Sequence, residues 1–358
     1  MPKPSKIRRA IYLYEDKCSP QYSYRVLNPS EACKKSKKWH IDAFSKKEIN
    51  ELRKNLPEAE LLIIGRQTAK NNVIPNLIKE AKLFGLKVVF DLDDLVFDYK
   101  FLHLVAQTTN EKNYLYWAGY IWGIRRIAKK ADAFLATNDF LAQKIKESFN
   151  KPVATIPNSL SSEQVGVSQG LCKSKHARSG FLLGYFSGSP THTKDFRLVE
   201  SSIIQFLKKH ADAKLKIVGY MSLSPRVQEL IGNNCIEFKP PVSRSELQKE
   251  IAEVDVNLAP LVVNDFTNCK SELKFFESAI AETTTIASPT FAFKNAIKDG
   301  ETGFIANPDE WFEKLEYLYS HPEKNRKIAK KAKEYCLKQY YGAKFLEELE
   351  EAYDDISK

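Results

Sequence analysis

The order of apolar segments in this chain predicts an α/β protein built as two parallel, doubly wound halves. Short runs rich in β-branched and aromatic residues alternate with segments of helical period, the pattern of strand–helix–strand units. The alternation stops after Pro157-Asn158 and starts again near Phe181. A chain of 358 residues is also too long for one ordinary core, because single domains usually hold roughly 100–200 residues.

Taken in order, the strand-like runs of the first half are Ala10–Tyr14, Leu61–Ile64, Lys87–Phe90, Ala133–Ala136 and Val153–Ile156, with helical spacing over Val73–Phe84 and Asp139–Phe149. A Ser-, Gly- and Lys-containing stretch without a sustained period follows, read as a linker over 161–180. The second half gives strands at Phe181–Phe186, Leu215–Val218, Cys235–Phe238, Val254–Leu258 and Thr284–Ala287, and Ser243 with Glu246 spells a capping box for a helix between them. From Asp309 to Ile356 the pattern is helical apart from His321-Pro322, too long to pack on one small sheet. The expected domains are therefore 1–160, 181–340 and a terminal helix over 341–358 that crosses back to the first domain.

Composition narrows the function classes. With 43% hydrophobic and 28% charged residues the chain reads as soluble, and no apolar run approaches the roughly 18 residues of a membrane span. The basic start leads into an apolar patch that ends at Glu15-Asp16, too short for a signal-peptide core, so a first strand is expected there. Six cysteines without Cys-x-x-Cys spacing argue for a reducing, cytoplasmic setting and against structural zinc. A net charge of +10 favours polyanions without choosing among nucleic acid, lipid headgroups and phosphorylated sugars.

Two stretches of the second half suggest anion chemistry. Leu182 to Phe196 runs from a strand into Ser187-Gly188-Ser189 and towards a helix, a geometry in which backbone N–H groups receive phosphate, with His192 and Lys194 adding positive charge. A solvated Ser/Gly turn is the plainer alternative. Over Asn268 to Pro289, Lys270, Lys274 and Glu277 fall on one helical face and Leu273, Phe276 and Ile280 on another. Lys270 is expected in the first turn, where the helix dipole disfavours a cation unless an anion compensates it; a solvated Lys/Glu ladder would explain the same spacing.

Gly184-Tyr-Phe-Ser-Gly-Ser-Pro-Thr-His192 with Asp195, the Lys270-Ser271, Lys274 and Glu277 series, Ala287-Ser288-Pro289 and Asp299-Gly-Glu-Thr-Gly303-Phe together resemble the retaining glycosyltransferases of family 4. The resemblance covers nearly the whole chain. It implies a GT-B fold of two facing Rossmann-like domains, a nucleotide-sugar donor held on the second, and transfer to a glycan or lipid-linked acceptor in bacterial surface polysaccharide biosynthesis. Glu277 matches the glutamate that holds the donor ribose, and Lys194 and Lys270 match phosphate-binding positions. Cys269 stands where the family's other glutamate falls, and no arginine is clearly placed beside Ser187-Gly188-Ser189. The chain more closely resembles a branch with a Ser-Gly-x-x-Thr-His loop and a Lys-Ser helix start, and that resemblance implies that Ser187, Ser189, His192 and Ser271 take over donor contacts.

In the first half, "VVFDLDDLVFD" (Val88–Asp98) sets four carboxylates in an apolar run. Asp91-Leu92-Asp93 is a candidate metal clamp, and capping of strand and helix ends is the bland reading. The resemblance instead aligns Asp93-Asp94 with a cleft pair, so that Asp93 and Asp94 bind acceptor hydroxyls or stabilise charge at the sugar carbon while Asp91 and Asp98 only cap or solvate. Arg25 and Arg66 also match first-domain positions of this branch and are candidates to pair with these carboxylates or to hold an anionic acceptor, with solvated surface arginines the commoner alternative. The aromatic run Tyr114–Trp122 has helical spacing and reads as core, with membrane contact the minority alternative. No metal or cofactor is expected, and no nucleic-acid motif is found. A basic nucleic-acid- or nucleotide-binding protein without transferase activity is the rival reading. A dinucleotide oxidoreductase is disfavoured, because no Gly-x-Gly-x-x-Gly follows the first strand.

Overall fold

The computed structural model describes residues 7–17, 21–109, 113–172, 180–189 and 192–358. Cys18, the 173–179 part of the expected linker and Pro190-Thr191 of the expected phosphate loop lie outside the described residues. The chain divides into two compact units, the first comprising Met1–Ser159, Cys269–Ser271 and Tyr340–Lys358, the second Leu160–Asn268 and Glu272–Gln339.

The first unit holds strands β1 (Arg8–Tyr14), β2 (Trp39–Ser45), β3 (Leu61–Gly65), β4 (Lys87–Leu92), β5 (Ala133–Ala136) and β6 (Val153–Thr155), all parallel and ordered β2-β1-β3-β4-β5-β6. The order reverses between β1 and β3, and their carboxyl ends, Tyr14 and Gly65, open the switch point where ligands of such sheets usually bind. β2 is absent from the strands expected above. It is an edge strand that buries only Trp39 and Ile41, and the lysines that flank it hide so short a pattern. The terminal helix Ala343–Ser357 belongs to this unit: Phe345, Leu349, Tyr353 and Ile356 pack on Tyr12, Trp39 and Leu61. Trp39 meets Tyr353 edge to face at 5.5 Å and donates its indole N–H to Asp354 at 2.9 Å.

The second unit repeats the plan with β7 (Phe181–Ser187), β8 (Ala213–Gly219), β9 (Ile236–Lys239), β10 (Val256–Ala259), β11 (Thr284–Ala287) and β12 (Phe304–Ile305), ordered β12-β11-β10-β7-β8-β9 and again parallel. Here the switch point lies between β7 and β10. Ser162–Cys172, read from sequence as part of a linker, is instead a helix of this unit, packed on the helix Arg244–Glu253. Its small and polar residues carry no hydrophobic period, which is why the sequence concealed it. Among the described residues no helix is long and apolar enough to cross a membrane.

Candidate active site

In the second unit β7 delivers Ser187, Gly188 and Ser189 to its carboxyl end at the switch point. The turn is fixed from below by Gly219, which has φ +118°; a side chain there would stand 1.9 Å from the Ser187 carbonyl oxygen. That close approach lets Tyr220 N–H donate to Ser187 O at 3.1 Å and Ser187 Oγ donate to Tyr220 O at 2.5 Å. The Ser187 hydroxyl is thus turned to the backbone, which leaves the loop's N–H groups as its candidate anion donors.

His192 lies next along the chain. Its Nδ1 is 2.9 Å from Asp195 Oδ2, while Asp195 Oδ1 accepts from Val262 N–H at 2.9 Å. Asp195 therefore joins the loop after β7 to the loop after β10 and orients the imidazole; with Nδ1–H given to the carboxylate, Nε2 of the neutral ring is the acceptor. Ser288 ties the same β10 loop to the end of β11, accepting from Leu261 N–H at 2.9 Å. Lys194 is solvent-exposed.

Lys270 is not in the first turn of a helix. The helix begins at Leu273, and Lys270 lies in the loop after Asp265–Asn268. The physical reason is competition for its backbone: Thr137 Oγ1 donates to Cys269 O at 3.5 Å and Asn138 Nδ2 to Lys270 O at 3.0 Å. Ser271 is held in the same way, its Oγ accepting from Asn158 Nδ2 at 2.9 Å. These three residues group with the first unit.

The cation at the start of the helix Leu273–Ile280 is Lys274. Its ammonium donates to Phe186 O at 2.6 Å and stands 4.8 Å from the centre of the Tyr185 ring. Burial draws its pKa down to about 8, against the pull of Asp195 and Glu277 in the other direction. One turn on, Glu277 is 9% exposed; Gln164 Nε2 is 3.5 Å from its Oε1, and Gln248 Nε2 donates to its backbone carbonyl at 2.9 Å. Arg244 holds Gln164 through a 2.6 Å bond to Oε1. Gln164 and Arg244 escaped the sequence reading, although Arg244 sits inside the recognised capping box, which the structure contains.

In the first unit the four carboxylates of Val88–Asp98 separate by role. Asp91 is buried and paired with Arg25, whose Nη2 lies 2.8 Å from Oδ1; Tyr12 donates its hydroxyl to Oδ2 at 2.5 Å. Arg25 Nη1 donates to Ile156 O at 2.5 Å. Asp91 thus does more than cap a strand end, and Arg25 faces inward as its partner instead of presenting itself to an acceptor. Asp98 caps the turn Tyr99–Phe101, accepting from Lys100 N–H at 3.2 Å.

Asp93 and Asp94 form a half-buried cluster. Arg66 Nε bonds to Asp93, its Nη1 donates to Tyr120 Oη at 3.1 Å, and its Nη2 is 3.6 Å from Asp94. Gln21 donates to Asp93 at 3.2 Å, and Lys270 Nζ is 3.4 Å from Asp94 Oδ1. Burial pushes Asp93 up in spite of Arg66; for Asp94 burial acts the same way, but Lys270 and Arg66 outweigh it and hold the carboxyl below its usual range. Asp91 and Asp93, the candidate metal clamp, are held by different guanidinium groups. Tyr120 and Gln21 are members of this cluster that sequence alone did not single out.

The two sheets, their strand orders and the terminal helix returning to the first unit define a GT-B fold. Residues 197–351 match the family model described as glycosyl transferase-like. Among solved structures the chain is similar to HepE from Anabaena in complex with UDP and glucose, at 11% identity and a TM-score of 0.62 over 98% of this chain and 99% of that one. A glycosyltransferase from Rickettsia africae is similar at 14% identity and a TM-score of 0.64, again over 98% and 99% of the two chains. Sucrose-phosphate synthase from Thermosynechococcus elongatus gives 12% identity and a TM-score of 0.60 with the same coverage. No curated protein sequence matches the chain.

Proposed function

We propose that the protein is a retaining glycosyltransferase of family 4 that moves a sugar from a nucleotide-sugar donor to a glycan or lipid-linked acceptor, in bacterial surface polysaccharide biosynthesis. The observation that carries this reading is the convergence, at the switch point of the second sheet, of the Ser187–Ser189 turn, the half-buried Lys274 and the buried Glu277. The glycosyl transferase-like match over 197–351 and the UDP bound in the HepE structure support a nucleotide donor.

In this reading Glu277 binds the ribose hydroxyls, while loop N–H groups, Lys274 and the imidazolium form of His192, which keeps Nδ1–H on Asp195 and donates from Nε2, receive the diphosphate. Charge grows on that diphosphate as the anomeric C–O bond breaks, and prearranged donors act most strongly there. The departing nucleoside diphosphate keeps the electron pair of the broken bond. The acceptor oxygen forms the new bond on the same face and gives its proton to the leaving phosphate, so no separate base is required. Asp93 and Asp94 hold acceptor hydroxyls, Arg66 and Lys270 hold Asp93 and Asp94, and no metal takes part.

A thermal-shift titration against UDP, GDP, ADP, CMP and dTDP, with and without EDTA, tests the proposal. One nucleotide should raise Tm in the wild type regardless of EDTA and fail to do so in Glu277→Ala. No response to any nucleotide would refute a donor site, and a response abolished by EDTA would refute the metal-free reading.

A further inference from the structure

The end of the first unit opposite Asp93 and Asp94 carries a cation-lined cavity that the transferase reading does not use. Its volume is about 550 Å³, and Lys79, Lys82, Lys87, Lys129, Lys130 and Lys151 line it against a single carboxylate, Asp132. That carboxylate is already engaged, with Lys82 Nζ at 2.6 Å and the Val88 N–H at 2.9 Å. Lys151 closes the end of the helix Tyr114–Ala128 by donating to the carbonyls of Ala128, Lys129 and Ala131. Lys79, Lys87, Lys129 and Lys130 have no ion-pair partner among the described residues. Four like charges gathered at the rim of a cavity repel one another, and bound anions would relieve that repulsion.

The same rim is apolar as well as cationic. The helix Val73–Leu83 ends there, and the turn through Gly85 leaves Leu83 87% and Phe84 55% exposed between Lys82 and Lys87. The helix Tyr114–Ala128, expected from sequence to bury its aromatic run, packs beside Val73–Leu83 and exposes Leu115, Tyr116 and Trp122. Leu115 and Trp122 are seven residues apart, on one face, and that face continues into Arg126, whose guanidinium lies 4.8 Å over the Trp122 ring, and then Lys129.

A soluble polyphosphate or a nucleic-acid backbone would satisfy the lysines and leave Leu83 and Phe84 in water. A bilayer interface supplies phosphates and hydrocarbon together, at the depth that amphipathic side chains span. We propose that this flank docks on an anionic phospholipid bilayer, with Lys79, Lys87, Lys129 and Lys130 facing lipid phosphates and Leu83 and Phe84 inserted among the headgroups. The docking is independent of the donor site, so failure of either reading leaves the other standing.

Co-sedimentation of the full chain with vesicles tests it. Vesicles containing phosphatidylglycerol should bind the protein and pure phosphatidylcholine vesicles should not. Lys129→Glu/Lys130→Glu should weaken binding by roughly tenfold or more, since each basic residue near an anionic surface contributes a severalfold effect. Leu83→Ser/Phe84→Ser, which leaves net charge unchanged, should also weaken it severalfold. Lys208→Glu/Lys214→Glu, the same charge change on exposed positions of the second unit, should bind as the wild type does. All the substituted positions except Phe84, which is part-covered, are well exposed, and a thermal melt of each variant verifies folding. The proposal is overturned if the wild type ignores phosphatidylglycerol, if the second-unit variant loses as much binding as Lys129→Glu/Lys130→Glu, or if Leu83→Ser/Phe84→Ser binds normally. Normal binding by that variant together with displacement by tripolyphosphate would mark a site for free phosphates instead.

Discussion

Asp91 and Arg25 show how burial decides a residue's role. Each is removed from water, so neither charge is tolerable alone, and the pair is completed by Tyr12 and the Ile156 carbonyl. Arg25→Ala should therefore destabilise the first unit by about 3–5 kcal/mol, because the substitution leaves an unpaired buried carboxylate. Urea unfolding of Arg25→Ala beside Arg25→Met/Asp91→Leu checks this: the double variant should recover most of the loss, and equal loss in both would mean that packing and not the orphaned charge sets the penalty. The acidic cluster itself was legible in the sequence, since four carboxylates in an apolar run are conspicuous. Their division of labour was not. Arg25 is 66 positions from Asp91 and Arg66 is 27 from Asp93, and nothing local tells which guanidinium reaches which carboxylate.

At the scale of elements, strands and capping boxes were easier to read than helix starts. β7 and the Ser243/Glu246 box stand where their local pattern puts them, because a continuous apolar run and a side-chain cap are encoded within a few residues. The start of the helix Leu273–Ile280 was misplaced by a turn, since the bonds from Thr137 and Asn138 that hold back Cys269 and Lys270 come from more than a hundred residues away. The shift makes Lys274 the cation of the first turn, with a pKa of about 8 in the folded chain against an ordinary value of 10.5. Between those two values the unfolded chain holds a proton that the folded chain has released, so stability should rise as pH increases from about 8 towards 10.5. Lys274→Met should flatten that rise. A nucleoside diphosphate at the site would have the opposite preference, favouring the ammonium: affinity should fall by roughly tenfold between about pH 8 and 9.5, with proton uptake on binding. Calorimetric titration in buffers of different ionisation enthalpy measures both quantities, and a pH-independent affinity in the wild type would remove Lys274 from the phosphate site.

For the molecule as a whole, the chain's end completes its beginning. The alternation of strands and helices marked two sheets, but a contact between positions 8–64 and 343–357 can be inferred from sequence only as surplus: a tail too long and too amphipathic for the sheet it follows. That surplus is resolved by the helix Ala343–Ser357, whose Phe345, Leu349, Ala352, Tyr353 and Ile356 are buried in the core of the first unit. Arg8 reinforces the join, donating to Asp354 at 2.7 Å and to Ser357 at 2.6 Å while its guanidinium covers Trp39 at 4.0 Å. Burying a large apolar side chain contributes about 1.5–3 kcal/mol, so four such residues contribute on the order of 6–12 kcal/mol, comparable with the whole stability of a typical domain at about 5–15 kcal/mol. A chain ending at Tyr340 should consequently lose the cooperative unfolding transition of the first unit while the second unit, whose core draws on residues 183–328, keeps its own. Hydrogen exchange distinguishes the outcomes: rapid exchange across β1 and β3 with protection retained in β7 and β10 is expected, and undiminished protection in β1 would show that the first sheet is stable without the returning helix.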